Sequence, residues 1–139
     1  MHSLAGRELT DACAAQASMN APLGFGEIRT TPSGNLAARI SVVHAVCPKL
    51  KRDRIETLIE ACDAALAACA GSHTVAIPCL GHTDGGDISE VFAASTALIR
   101  TRAWLESEAT AEVKRVVFVA HTARQHEAFE KLMAIVFPS

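Results

Sequence analysis

The sequence predicts an α/β fold, a three-layer α/β/α sandwich on a mostly parallel sheet. Short apolar runs alternate with stretches of helical periodicity. Those runs are continuous in hydrophobicity, as in strands covered on both faces. Glycine- or proline-containing breaks stand between many of the segments. At 139 residues the chain is one domain's worth, 1–139, with no repeat, low-complexity tract or linker dividing it.

The first element runs from Leu4 to about Gln16, where Leu4, Ala5, Glu8, Leu9, Ala12 and Cys13 trace a mostly apolar helical stripe. Residues 20–26 read as a loop and Glu27 to Thr31 as a short strand. Thr31-Pro32-Ser33-Gly34-Asn35 is a turn, since proline presets one dihedral and glycine or asparagine tolerates positive φ. Ser41 to Val46 is a buried strand ending at Cys47-Pro48, and Lys49 to Arg54 a solvated basic connector. From Arg54 to Ala70, Ile55, Leu58, Ile59, Cys62, Leu66 and Cys69 repeat at helical spacing until Gly71 ends the run.

Thr74 to Ile77 is the next strand. Asp87-Ile88-Ser89-Glu90 has the form of a capping box with Asp87 as the cap. The helix it opens shows Ile88, Val91, Phe92, Ser95, Leu98, Ile99, Arg102 and Leu105 at helical spacing. Val116 to Ala120 is a fully apolar strand. Thr122-Ala123-Arg124-Gln125 is a second capping box, followed by a helix with Ala128, Phe129, Leu132 and Met133 inward.

Composition sets bounds on function. Half the residues are apolar and the formal charge is -2, which gives no reason to expect nucleic acid as a partner. No apolar run approaches the roughly 20 residues of a membrane helix, and the start lacks the core of a signal peptide. Five cysteines, an odd number without Cys-x-x-Cys spacing, read as reduced thiols in a cytoplasmic protein, with no zinc site.

The loop Gly81-His82-Thr83-Asp84-Gly85-Gly86 follows a strand and precedes a helix, the place where open α/β sheets hold ligands. Its glycines allow close backbone approach, and the helix start adds partial positive charge, which together suit a phosphate or diphosphate. The plain alternative is a connecting loop whose glycines only meet dihedral demands. His82 can donate to a phosphate oxygen or a leaving group, or simply be solvated. Asp84 and Asp87 could orient a water as general bases, though Asp87 is better explained as the helix cap and Asp84 as an Asx-turn residue. His121 and Thr122, after the last strand, form a second rim position, with His121 facing a ribose or base edge or only solvent. Cys47 and Cys79 both end strands, so a Cys–His nucleophile with His44 or His82 is a distant option. His44 itself reads as a packed histidine bonded to a backbone carbonyl.

Several runs resemble the macro domain family. Gly24-Phe25-Gly26-Glu27 with Thr30, Asn35-Leu36 and Val43-His44-Ala45-Val46-Cys47-Pro48 match its central motifs in order. Val75-Ala76-Ile77-Pro78 is similar to its next strand, and Leu4-Ala5-Gly6-Arg7-Glu8-Leu9 with Cys13 to its first helix. Two of these runs are similar to forms in viral replication polyproteins. The resemblance implies a domain that binds ADP-ribose and in many members hydrolyses it from modified proteins. It also implies a first strand, an N-A-A-N motif and a G-G-G-V phosphate loop ahead of Leu4, and these do not stand in the sequence. In the second phosphate loop an ungapped match retains only Gly86, and the family's ribose-packing aromatic becomes a glycine or aspartate.

Two readings follow. In the first, the chain binds ADP-ribose or an ADP-ribosylated protein, with weak mono-ADP-ribosyl hydrolysis as an attendant activity and catalytic residues unassigned. Ligand contacts then come from Gly81, His82, Thr83, Asp84, Gly85, Gly86, His121 and Thr122, with no metal and no cofactor. In the second, it is a degenerate macro-like domain acting through protein contacts without nucleotide. Because the family's first strand lies beside the last one, the Val116–Ala120 edge is expected to pair with a second copy or a partner chain.

Overall fold

A computed structural model describes residues 2–19, 22–36, 41–47, 55–82, 88–107 and 110–138. In chain order it contains α1 (His2–Met19), β1 (Ile28–Pro32), β2 (Ser41–Ala45), α2 (Ile55–Ala67), β3 (Thr74–Pro78), α3 (Glu90–Leu105), β4 (Arg115–Val119) and α4 (Ala123–Val136). The basic connector Lys49–Arg54 lies outside the described residues.

The strands are not mostly parallel. β1 and β2 pair antiparallel, with Ile28 opposite Ala45 and Pro32 opposite Ser41. β3 and β4 pair parallel, with Thr74 opposite Arg115 and Pro78 opposite Val119. The result is two two-stranded sheets of mixed direction flanked by helices. The antiparallel pair has a physical cause in chain length. The connection from Ser33 to residue 40 is too short for the dozen-residue crossover a parallel neighbour needs. The helix-bearing segment between β3 and β4 is long enough for one.

The turn after β1 packs directly on α1. Asn35 N–H donates to the Ala5 carbonyl at 2.8 Å. Gly34 has φ 61°, and a Cβ there would sit 2.5 Å from that same carbonyl oxygen. α1 itself breaks its helical dihedrals at Gly6 (φ 73°, ψ -166°), so it is two helices joined at a kink. Ala5 and Leu9 of its predicted stripe are fully buried, whereas Glu8 is exposed.

Core packing covers β3 on one face only. Val75 and Ile77 are buried with Leu66, against Cys69, Trp104, Val116 and Phe118. Thr74, Ala76 and Pro78 on the other face are exposed, so the expectation of a strand covered on both faces fails here. A second cluster joins Ala94, Ala97 and Leu98 of α3 to Ala128 and Phe129 of α4. The Phe129 ring lies 5.4 Å from that of Phe118. The inward face predicted for α4 is the observed one.

For α3 the face is shifted. Ala93, Ala94, Thr96, Ala97, Leu98 and Thr101 are buried, while Val91 and Ile99 are 58% and 53% exposed. Alanines and threonines make up most of the buried face with Leu98, while Val91 and Ile99 point away from it. Arg100 reaches across to α2, donating through Nε and a terminal nitrogen to the two carboxylate oxygens of Asp63 at 2.6 and 2.7 Å. None of the described helices is long and apolar enough to cross a membrane.

Candidate functional site

Because β3 and β4 are parallel and Pro78 lies opposite Val119, the chain leaves both strands at the same rim. Cys79 to His82 follow one strand and Ala120 to Thr122 the other, so the two predicted rim positions are neighbours. Thr83, Asp84, Gly85 and Gly86 lie outside the described residues, as does Asp87.

Gly81 turns the chain with φ 81°, and a Cβ added there would stand 2.8 Å from Leu58 Cδ1. Leu58 belongs to the buried cluster with Cys62, Ile88 and Ala93, so the loop start is pressed on the core. Only glycine meets both the dihedral and the space. His82 follows, with its ring turned inward. Its Nδ1 lies 3.1 Å from the Ile88 carbonyl oxygen and its Nε2 3.6 Å from Glu90 Oε1.

The same Glu90 oxygen accepts a hydrogen bond from the Thr122 hydroxyl at 2.9 Å. Thr122 also caps α4 by accepting from Gln125 N–H at 3.1 Å. The Gln125 side chain returns to the His121 N–H at 2.8 Å, one residue before the reciprocal partner of a standard capping box. His82, Glu90 and Thr122 thus form one hydrogen-bonded and electrostatic cluster spanning the two loops, while His121 is exposed beside it.

Glu90 is the residue that sequence reasoning missed as part of the site. It was read as the far member of a capping box on Asp87, but α3 is capped by Ser89, whose hydroxyl accepts from Phe92 N–H at 3.2 Å. Glu90 is therefore the first helical residue, where the dipole favours a carboxylate. An acidic residue directly after a serine cap was the available signal. Its pairing with Thr122 had none.

The thiols at this rim are poor nucleophiles. Cys47 and Cys79 pack against the Leu58 cluster, as their positions at strand ends suggested. Burial pushes Cys79 up to about 11, and the Glu90 charge adds to that. Burial also raises Cys47, opposed by a hydrogen bond from the Gly81 backbone. Thiolate character is what a cysteine nucleophile needs, and these surroundings suppress it. His44 Nε2 engages Thr31 Oγ1 at 2.9 Å and Cys13 Sγ at 3.8 Å, which ties β2 to β1 and α1. Among the described residues no group of three or more His, Cys, Asp or Glu is placed to hold a metal.

Gly81, His82 and His121 thus stand beyond the carboxyl ends of two adjacent parallel strands, where open α/β sheets hold ligands. The model of the macro domain family matches residues 1–91, and the chain belongs to that family. Solved structures agree in fold. The macro domain of ganglioside induced differentiation associated protein 2 superposes with a TM-score of 0.84 at 23% identity, over 99% of this chain and 67% of that one. The Trypanosoma brucei macrodomain gives 0.80 at 24% identity, over 95% and 52%. A mutant Oceanobacillus iheyensis macrodomain solved with ADPR gives 0.80 at 21% identity, over 99% and 76%. The chain therefore spans between about half and three quarters of these relatives. No curated protein gives a significant sequence match.

Proposed function

We propose that the chain binds ADP-ribose, free or on a modified protein, at the rim formed by Gly81 to Gly86 and by His121 and Thr122. The observation that carries this is the adjacency of the two loops beyond the parallel pair β3 and β4 in a chain of the macro domain family. In this reading Gly81 sets the loop's path, and His121, exposed at the rim, meets the ribose or base edge. Thr122 and Glu90 hold the second loop in register with the first. Weak release of mono-ADP-ribose from protein is the finer part of the proposal, with no catalytic group assigned.

Calorimetry with ADP-ribose tests the reading. Saturable heat is expected, weakened about tenfold by His121→Ala, the equivalent of roughly 1.4 kcal/mol, and abolished by Gly86→Val. Silence from the unaltered protein at millimolar ligand overturns it.

Two observations favour the second reading, a macro-like domain that works through protein contacts alone. Both His82 ring nitrogens face groups of the protein, and Glu90 places a carboxylate at the rim that repels a diphosphate. Under either reading we propose that the β4 edge away from β3, where Val119 is 46% exposed, pairs with a second copy or partner. Light scattering that finds only monomer at high concentration would remove the second-copy arm.

A further inference from the structure

The cysteine that the fold brings to His44 is not one of the two that end strands. Cys13 Sγ of α1 lies 3.8 Å from His44 Nε2 of β2, across 31 residues of sequence. The same nitrogen lies 2.9 Å from Thr31 Oγ1 of β1. One turn along α1, Gln16 Nε2 donates to the Thr30 carbonyl at 3.0 Å, so the helix is fastened to the strand beside this cluster. Thiol, imidazole and hydroxyl, from three elements, thus meet at one ring nitrogen.

All five cysteines are free, and Cys13 is partly exposed. Burial acts on the other four. It pushes Cys62 up to about 12 and Cys79 up to about 11, and it raises Cys47 and Cys69 as well. Thiols held in that form are poor nucleophiles. What sets Cys13 apart is its partner, since a base beside the sulfur is one of the arrangements that activate a cysteine. Thr31 is 2% exposed, so its hydroxyl is a buried, fixed contact for the ring edge. When Nε2 carries a proton, the Thr31 oxygen accepts a hydrogen bond from it, and a bond from a charged donor is a strong one.

We infer that Cys13 is a thiol-exchange site, with His44 as its base, and that it reacts with small disulfides of the glutathione class. His44 Nε2 takes the proton from Cys13 Sγ, and the sulfur attacks one sulfur of the disulfide. The new S–S bond forms as the old one breaks. The departing thiolate takes the proton back from Nε2 and leaves as a thiol, so the disulfide is the oxidant and no other is required. The product is a mixed disulfide on α1, at the seam between that helix and the antiparallel pair. The cluster shares no residue with the rim, and the inference does not rest on ADP-ribose binding.

The test uses the reduced 139-residue protein and oxidised glutathione at pH 7, with adducts located by peptide mass mapping. The first adduct should fall on Cys13, about tenfold ahead of the other four cysteines, and dithiothreitol should remove it. His44→Ala and His44→Gln should slow it about tenfold, because an unassisted cysteine is only a few per cent thiolate at pH 7. Added imidazole should restore the rate of His44→Ala with its circular dichroism unchanged, a rescue that a merely structural histidine does not allow. Three results would overturn the inference. One is no adduct at millimolar oxidised glutathione, or adducts spread evenly over the five cysteines. Another is a first adduct at Cys47, Cys62, Cys69 or Cys79. The third is a folded His44 variant that reacts at the parent rate or gains nothing from imidazole. Mapping uses the unaltered protein, so it decides the site even where a histidine variant fails to fold.

Discussion

The Thr122 hydroxyl donates to Glu90 Oε1 at 2.9 Å, joining the first turns of α3 and α4 across 32 residues of sequence. His82 stands 3.6 Å from the same oxygen, so one carboxylate registers both loops of the candidate site. Its side chain is 16% exposed, which makes the contact harder to replace with water than a surface pair.

Glu90 can therefore be separated into a charge and an acceptor. Glu90→Ala strands the Thr122 hydroxyl and should lower stability by about 1–3 kcal/mol in denaturant titration. Glu90→Gln keeps an acceptor for Thr122 and removes the charge. With one fewer negative group at the rim, ADP-ribose should bind about fivefold tighter, roughly 1 kcal/mol for a charge a few ångströms away in a wet site. Weaker binding by Glu90→Gln would mean that the carboxylate contacts the ligand directly.

Gly34 is a second test, of the fold. Its φ of 61° and the 2.5 Å approach of a would-be Cβ to the Ala5 carbonyl leave no room for a side chain. The left-handed backbone alone costs about 1–2 kcal/mol for an L-residue. Gly34→Ala should lose at least about 2 kcal/mol once the displacement of α1 is included. An unchanged denaturation midpoint would show that the turn does not pack on α1 in solution.

The Arg100–Asp63 pair ties α3 to α2 with two short bonds, yet the side chains are 35% and 42% exposed. Solvent screening limits such a pair, so Asp63→Asn should cost only about 0.5–1 kcal/mol. That loss should shrink in molar salt. A salt-independent loss would point to packing of the arginine stem as the main contribution.

Alkaline titration reports on the buried thiols. Burial pushes Cys62 from its ordinary 9.0 up to about 12, with the charges of Cys47 and Asp63 adding to it. A thiol whose pKa is raised by folding stabilises the fold fully below pH 9. That contribution is lost as pH rises from 9 toward 12. Stability should fall across that window by up to about 1.4 kcal/mol per pH unit for this group. Cys79, less buried, adds a smaller share in the same direction. Cys62→Ala should flatten the decline, and an identical slope in that variant would contradict the assignment.

Much of the fold was legible before any coordinates. The positions of the four described strands and the order of the helices followed from apolar runs and helical spacing. The Thr122 cap followed from a threonine three residues before a glutamine. The family motifs pointed to the rim loops. The face of α3 was misread because Val91 and Ile99 outweigh alanine in any hydrophobicity pattern. Close helix packing instead selects small side chains such as Ala94 and Ala97. The strand directions could have been read in part, since the β1–β2 connection is too short for a crossover.

By itself the sequence determined the local elements, the glycines that turn them and the family to which the chain belongs. These depend on neighbours a few residues apart, where periodicity, capping and dihedral limits act directly. Only the tertiary structure decided that Glu90 meets Thr122 and His82, and that α3 turns Ala94 and Ala97 inward and Val91 and Ile99 outward. Such contacts join segments far apart in sequence and rest on many small packing and desolvation terms summed over the whole chain. No short stretch of residues carries that sum.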